Sequence, residues 1–197
     1  MNIKRLIALV VFVCTFSFLF PQEGSSQVMF VGTKMVTIKG GIPYRGKPFH
    51  TPGSFTAGVE YSQFVKSGNY WSVGLDAEMN NIPKKEFFIP ELIATANGGY
   101  NLFLIGDNTR RLNFYASVKA SLGYGLINKG EKKLVDGDEL PKTQTFIYGG
   151  ALGVHTDLYL TSRLTLMLGA GTKFLWGTPS NTVMRPYFEG GIKVSFF

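Results

Sequence analysis

The chain has 197 residues, 20 of them basic and 13 acidic, for a formal charge of +7, with 24 glycines, 14% aromatics and a single cysteine. So mild an excess of positive charge, scattered with no run or helical stripe to follow a phosphate backbone, argues against direct nucleic-acid binding. One thiol, Cys14, supplies neither a disulfide framework nor a thiolate metal site.

Lys4 and Arg5 precede an apolar run from Leu6 to Phe20, followed by Pro21 and the small residues Gly24, Ser25 and Ser26. This is the pattern of a secretory signal peptide. About 15 apolar residues are short for a spanning helix, which needs roughly 20. Cleavage after Ser26 is expected, dividing the chain into a signal peptide at 1–26, which contains Cys14, and a single domain at 27–197. Val13 is not the small residue that a lipoprotein signal places before its cysteine.

The rest reads as short strands and turns. A first strand is expected at Phe30 to Lys39, with irregular alternation, and then a loop from Gly40 to Gly53 that holds Pro43, Pro48 and Pro52, residues that remove ladder donors. The second strand, Ser54 to Lys66, sets Phe55, Ala57, Val59 and Tyr61 opposite Thr56, Gly58, Glu60 and Ser62, and Ser67, Gly68 and Asn69 turn it. In the third, Trp71, Val73, Leu75, Ala77 and Met79 alternate with Ser72, Gly74, Asp76 and Glu78; a loop from Asn80 to Phe87 follows. The fourth runs from Glu91 to Leu104, with a polar turn at Ile105 to Arg110. The fifth has the clearest period of two: Leu112, Phe114, Ala116, Val118, Ala120, Leu122, Tyr124 and Leu126 share one face, an arrangement that a helix would scatter around its circumference. After the charged segment Asn128 to Thr143 come the sixth strand, Phe146 to Tyr159, a turn at Thr161 to Arg163, the seventh, Leu164 to Trp176, and a connection from Gly177 to Met184.

The eighth strand, Arg185 to Phe197, separates Phe188, Gly190, Ile192, Val194 and Phe196 from Tyr187, Glu189, Gly191, Lys193 and Ser195. Glu189, Gly191, Val194 and Phe196 satisfy the order polar, glycine, apolar, aromatic that resembles the C-terminal signal of outer-membrane barrels. Alternation of this kind is what a lipid-facing strand requires, since one face meets hydrocarbon, the other a polar interior, and the backbone pairs within a closed sheet. Connections alternate long and short, as the outside loops and periplasmic turns of bacterial barrels do. The expected fold is therefore all-β: a single antiparallel transmembrane β-barrel of about eight strands, of the outer-membrane type, after a cleaved signal peptide. It is expected in the outer membrane of a Gram-negative bacterium, with the N- and C-termini periplasmic and outer-membrane lipid as its surroundings.

On the inward faces fall Glu60, Asp76, Glu78, Glu91, Lys119, His155, Lys173, Glu189 and Lys193, a mixture suited to ion pairing, with Lys119, Lys173 and Lys193 expected to balance Asp76, Glu78 and Glu189. An eight-stranded barrel is narrow enough for side chains to fill, so no conducting pore is expected. His155 and Asp157 share a face and were they to meet could serve as base and orienter, yet no nucleophile motif accompanies them and His50 lies in a loop. No catalytic, cofactor-binding or metal site and no small-molecule substrate are expected, two distant histidines and dispersed carboxylates offering no ligand spacing.

Several strings carry a further signal: Gly98-Gly99-Tyr100 leading to Phe103-Leu104-Ile105-Gly106-Asp107, Gly123-Tyr124 with Ile127-Asn128-Lys129-Gly130-Glu131, Phe146-Ile147-Tyr148-Gly149, Leu160-Thr161-Ser162-Arg163, Lys173-Phe174-Leu175-Trp176-Gly177-Thr178 and Arg185-Pro186. In their order and spacing these resemble the TraO family of conjugative-transposon proteins of Bacteroidetes, over roughly Ile89 to Phe197. The resemblance implies a non-enzymatic outer-membrane component of a mating-pair, type IV secretion-like apparatus, with other conjugation proteins of the envelope as partners and no catalytic residues to carry over. The alternatives are a small adhesin or envelope-stabilising barrel and, further off, a lipid-modifying barrel enzyme.

Overall fold

The computed structural model describes residues 30–44, 51–84, 87–107, 111–134, 139–140 and 142–196. The signal segment with Cys14, its cleavage site, His50 and Phe197 lie outside them. Eight antiparallel strands form a closed ring in sequence order: β1 (Lys34–Pro43), β2 (Phe55–Phe64), β3 (Tyr70–Lys84), β4 (Phe87–Gly106), β5 (Leu112–Ile127), β6 (Gln144–Tyr159), β7 (Leu164–Trp176) and β8 (Met184–Phe196). The ring shuts where β8 pairs along β1, from Lys34 opposite Phe196 to Pro43 opposite Tyr187. Within the ring closure leaves no strand without a neighbour on each side, the condition for a sheet to cross hydrocarbon.

Period-two patterning sets the two faces. Outward stand Ile38 and Leu75, each 67% exposed, with Val59, Val73, Val118, Leu122, Leu152, Val154, Leu168 and Ile192 also exposed. An apolar surface this continuous is lipid-facing in character. Aromatic rings rim it at both levels: Tyr61 and Trp71 lie 5.5 Å apart toward one end, and Tyr148 and Trp176 stack at 6.1 Å and 22° toward the other.

Inward the walls carry glycine where strands crowd. A Cβ on Gly149 would lie 1.9 Å from the Phe174 carbonyl oxygen and one on Gly123 2.1 Å from that of Ala94, so these positions admit no side chain without moving backbone. At the β2–β3 connection Ser67 (φ 62°) and Gly68 (φ 76°) take left-handed conformations that close a single 3₁₀ turn.

The ends of β2, β4 and β6 and the starts of β3, β5 and β7 lie at one end of the ring with both described termini, called here the turn end, and the ends of β1, β3, β5 and β7 with the starts of β2, β4, β6 and β8 lie at the other, the loop end. Two expectations are corrected. The first strand is displaced to Lys34–Pro43, because Gly40 and Gly41 continue the ladder opposite Gly190 and Glu189 instead of breaking it. The loop expected from Asn80 to Phe87 is strand from Asn80 to Lys84 and again at Phe87: β3 and β4 stay paired out to Lys84 opposite Phe87, beyond the last β2 partner at Met79. Pro83 and Pro90 are accommodated because this extension is edge-like, with no full ladder on its flanks to demand their missing donors. Leu134 and Leu140 from the β5–β6 connection pack against Ile82, Phe87, Ile89 and Ile127.

Candidate functional site

The barrel interior is the place where chemistry-bearing side chains converge, and it is layered. At the turn end Met35, Phe64, Tyr70 and Tyr115 are buried together, with Phe103 against them. Tyr70 meets Phe64 edge-on at 5.3 Å and Tyr115 at 5.2 Å. His155 stacks on Tyr115, ring centroids 5.2 Å apart and 10° from parallel. Lys193 Nζ donates to Tyr70 Oη at 2.7 Å and to Asp157 Oδ2 at 2.7 Å, and lies 4.8 Å above the Tyr70 ring. Tyr70 Oη also lies 2.6 Å from His155 Nε2, within hydrogen-bond distance. The result is one chain, Asp157, Lys193, Tyr70, His155, closed over by rings.

In the middle Lys39 Nζ faces three carboxylates, with Asp76 Oδ1 at 3.2 Å, Glu189 Oε2 at 3.4 Å and Glu60 Oε2 at 3.6 Å. Lys119 pairs with Glu60. Lys173 lies 3.3 Å from Asp76 Oδ2, 3.8 Å from Glu78 Oε2 and 5.6 Å from the Tyr187 ring centre.

Toward the loop end Arg185 holds Glu91 with two nitrogens, Nη1 to Oε2 at 3.1 Å and Nη2 to Oε1 at 3.1 Å, and reaches Glu78 Oε1 with Nη1 at 2.9 Å. Asn80 Nδ2 donates to Glu78 Oε1 at 2.7 Å. The 177–183 connection completes the arrangement: Arg185 Nη2 donates to Ser180 Oγ at 2.9 Å, Nε donates to the Thr182 carbonyl at 3.1 Å, and the Ser180 N–H donates to Glu91 Oε1 at 3.3 Å. The fork geometry of guanidinium suits two carboxylates as no ammonium would. Ile93, Ile147 and Leu175 form a further buried apolar cluster beside it.

All the inward-facing charges expected from parity are in place, but their pairing differs. Lys173 does balance Asp76 and Glu78, whereas Lys119 takes Glu60, Lys193 takes Asp157, and Glu189 is met by Lys39. Lys39 and Arg185 were missed as interior cations. Arg185 shares parity with Tyr187, Glu189 and Lys193, a signal present in the sequence; Lys39 was placed at a strand end instead of inside the displaced β1. His155 and Asp157 have separate partners, the first in contact with Tyr70 and the second with Lys193. Among the described residues no group of three His, Cys, Asp or Glu side chains could hold a metal ion.

This arrangement has counterparts in fold. Ail, the attachment invasion locus protein of Yersinia pestis, aligns with a TM-score of 0.55 at 7% identity, over 85% of this chain and 100% of that one. The N-terminal β-barrel domain of Pseudomonas aeruginosa OprF gives 0.53 at 10% identity, covering 84% and 98%. Neisserial surface protein A gives 0.52 at 13%, covering 84% and 97%. The class is thus the eight-stranded barrel of outer-membrane type, with a side-chain-filled, ion-paired interior. Within that class, residues 30–196 match the family described as conjugative transposon protein TraO, and the chain belongs to that family. No curated protein matches it.

Proposed function

We propose that this protein is a non-enzymatic outer-membrane component of a conjugative transfer apparatus, a barrel that anchors other envelope proteins of the machine instead of conducting DNA itself. Membership of the TraO family over residues 30–196 is the observation that carries the reading. The layered interior supports the anchoring role: rings and aliphatic clusters close both ends of a charge-compensated middle, leaving strand-built rigidity and exposed connections as what the protein offers to partners. In this reading the turn end and both termini face the periplasm, the loop end faces outward, and the segment 1–26 is removed on export. His155 is a structural member of the interior.

Transfer frequency from a donor with an in-frame deletion of the gene, with and without a plasmid copy, tests the reading. Loss restored by the plasmid is the expected result. Unchanged transfer would overturn it and leave a surface barrel whose role lies in adhesion or envelope stability, for which the charged segment 128–143 would be the part to delete next.

A further inference from the structure

At the loop end the connections mix both signs in sequence: Lys129, Lys132, Lys133 and Lys142 stand with Glu131, Asp136, Asp138 and Glu139 in the β5–β6 connection, and Arg45, Lys47, Lys84 and Lys85 with Glu86 in or beside the β1–β2 and β3–β4 connections. At the turn end, exposed Lys34 stands at the start of β1, exposed Lys66 in the β2–β3 turn, and exposed Arg163 in the β6–β7 turn, with Arg111 in the β4–β5 turn. Among the described residues of that rim the carboxylate is Asp107, and its Oδ1 accepts the Leu112 N–H at 3.1 Å, bracing its own turn.

Because the ring is closed in sequence order, these positions are spread around the whole circumference, one to each hairpin connection and one at the seam. They sit at the edge of the apolar surface: Lys34 is the Cα partner of Phe196, 52% exposed, and the neighbouring aromatics Tyr61 and Trp71 mark the same level. A folded partner would dock on one side of a rim. A lipid leaflet surrounds it, and its phosphates lie at the depth of the interfacial aromatics.

We propose that this basic rim binds the headgroup phosphates of anionic phospholipids in the leaflet around the turn end. The proposal rests on the orientation given above, with the turn end periplasmic. Long basic side chains lay their methylenes along the apolar edge and carry the charge to the headgroups, and the attraction is screened by salt.

The test uses the refolded barrel in phosphatidylcholine vesicles with and without phosphatidylglycerol, read as the fraction that keeps folded mobility in unboiled gels after heating. Wild type is expected to survive better with phosphatidylglycerol, and high salt is expected to abolish the gain. In the combined variant Lys34→Gln, Lys66→Gln, Arg163→Gln, each lost charge should lower the preference about five-fold, while survival in pure phosphatidylcholine stays that of wild type. The loop-end variant Lys129→Gln, Lys132→Gln, Lys133→Gln should retain the gain. A turn-end variant with undiminished preference overturns the proposal. Native mass spectrometry of wild type in mixed micelles needs no variant: retention of phosphatidylcholine equal to that of phosphatidylglycerol would overturn it as well. Labelling of Ser67→Cys and Lys132→Cys in intact cells with an impermeant maleimide checks the orientation separately. If Ser67→Cys were labelled from outside, the orientation would fail, whatever the vesicles report about the rim.

Discussion

The two ends of the interior solve one problem, a buried cation beside carboxylate, in different ways. At the turn end Lys193 is held entirely by strand residues, between Asp157 and the Tyr70 hydroxyl, with aromatic faces over it. At the loop end Arg185 needs the 177–183 connection, whose Ser180 and Thr182 finish its hydrogen bonds. The first site depends on the sheet alone. The second couples a loop to the sheet, so its strength reports on a segment outside the strand ladder.

Substitutions can sharpen this contrast. The largest effect is expected for Arg185→Met, which takes the bidentate guanidinium from Glu91 and leaves Glu78 to Lys173; breaking a buried pair costs about 3–5 kcal/mol, and the folded-to-unfolded mobility transition on heating should drop accordingly. Adding Glu78→Gln and Glu91→Gln to that variant should restore much of the loss, because the uncompensated charge is the source of the cost. Next comes Lys193→Met, expected to cost about 3 kcal/mol by leaving Asp157 unpaired, and to leave proteolysis of the 177–183 connection unchanged where Arg185→Met accelerates it. Equal acceleration in both variants would show that the two ends are not independent. Gly149→Ala should lower refolding yield and stability by about 1–3 kcal/mol, since its Cβ has the Phe174 carbonyl in its way. The smallest is Ser180→Ala, at about 1 kcal/mol, detected as a small shift of the same heating transition; a null effect would mean that the loop contributes through Thr182 and its backbone alone.

The strands with unbroken alternation were legible before any coordinates: the seventh at Leu164–Trp176 has the bounds read from its pattern, and the fifth differs at one terminal residue. Legibility failed where residues reputed to break strands sit in them. Gly40 and Gly41 continue β1, and Pro83 with Pro90 lies in the β3–β4 extension, because the barrel tolerates the first in tight strand contacts and the second where no neighbouring ladder asks for a donor. Parity placed Glu60, Asp76, Glu78, Glu91, Lys119, His155, Lys173, Glu189 and Lys193 inside but did not bring out Lys39 and Arg185. Which charges meet did not follow from parity, since that depends on the stagger between strands as the sheet tilts and closes. Lys39 on β1 thus reaches Asp76 on β3, across the intervening β2, as well as Glu189 on the adjoining β8. No alternation pattern contains that distance. The family relation was legible in ordered strings of the sequence, and the TraO match extends it to the two opening strands, too generic to support it unaided.

The last strand made touches every layer: Arg185 meets Glu78 and Glu91, Glu189 meets Lys39, and Lys193 meets Asp157. A sheet lacking it would hold carboxylates and a lysine in a low-dielectric interior without these counterions, a costly condition. Assembly is therefore cooperative at its final step. The strand that seals the ring also neutralises it, so an unsealed intermediate gains little from partial order, and sealing is drawn forward by electrostatics as well as by backbone pairing.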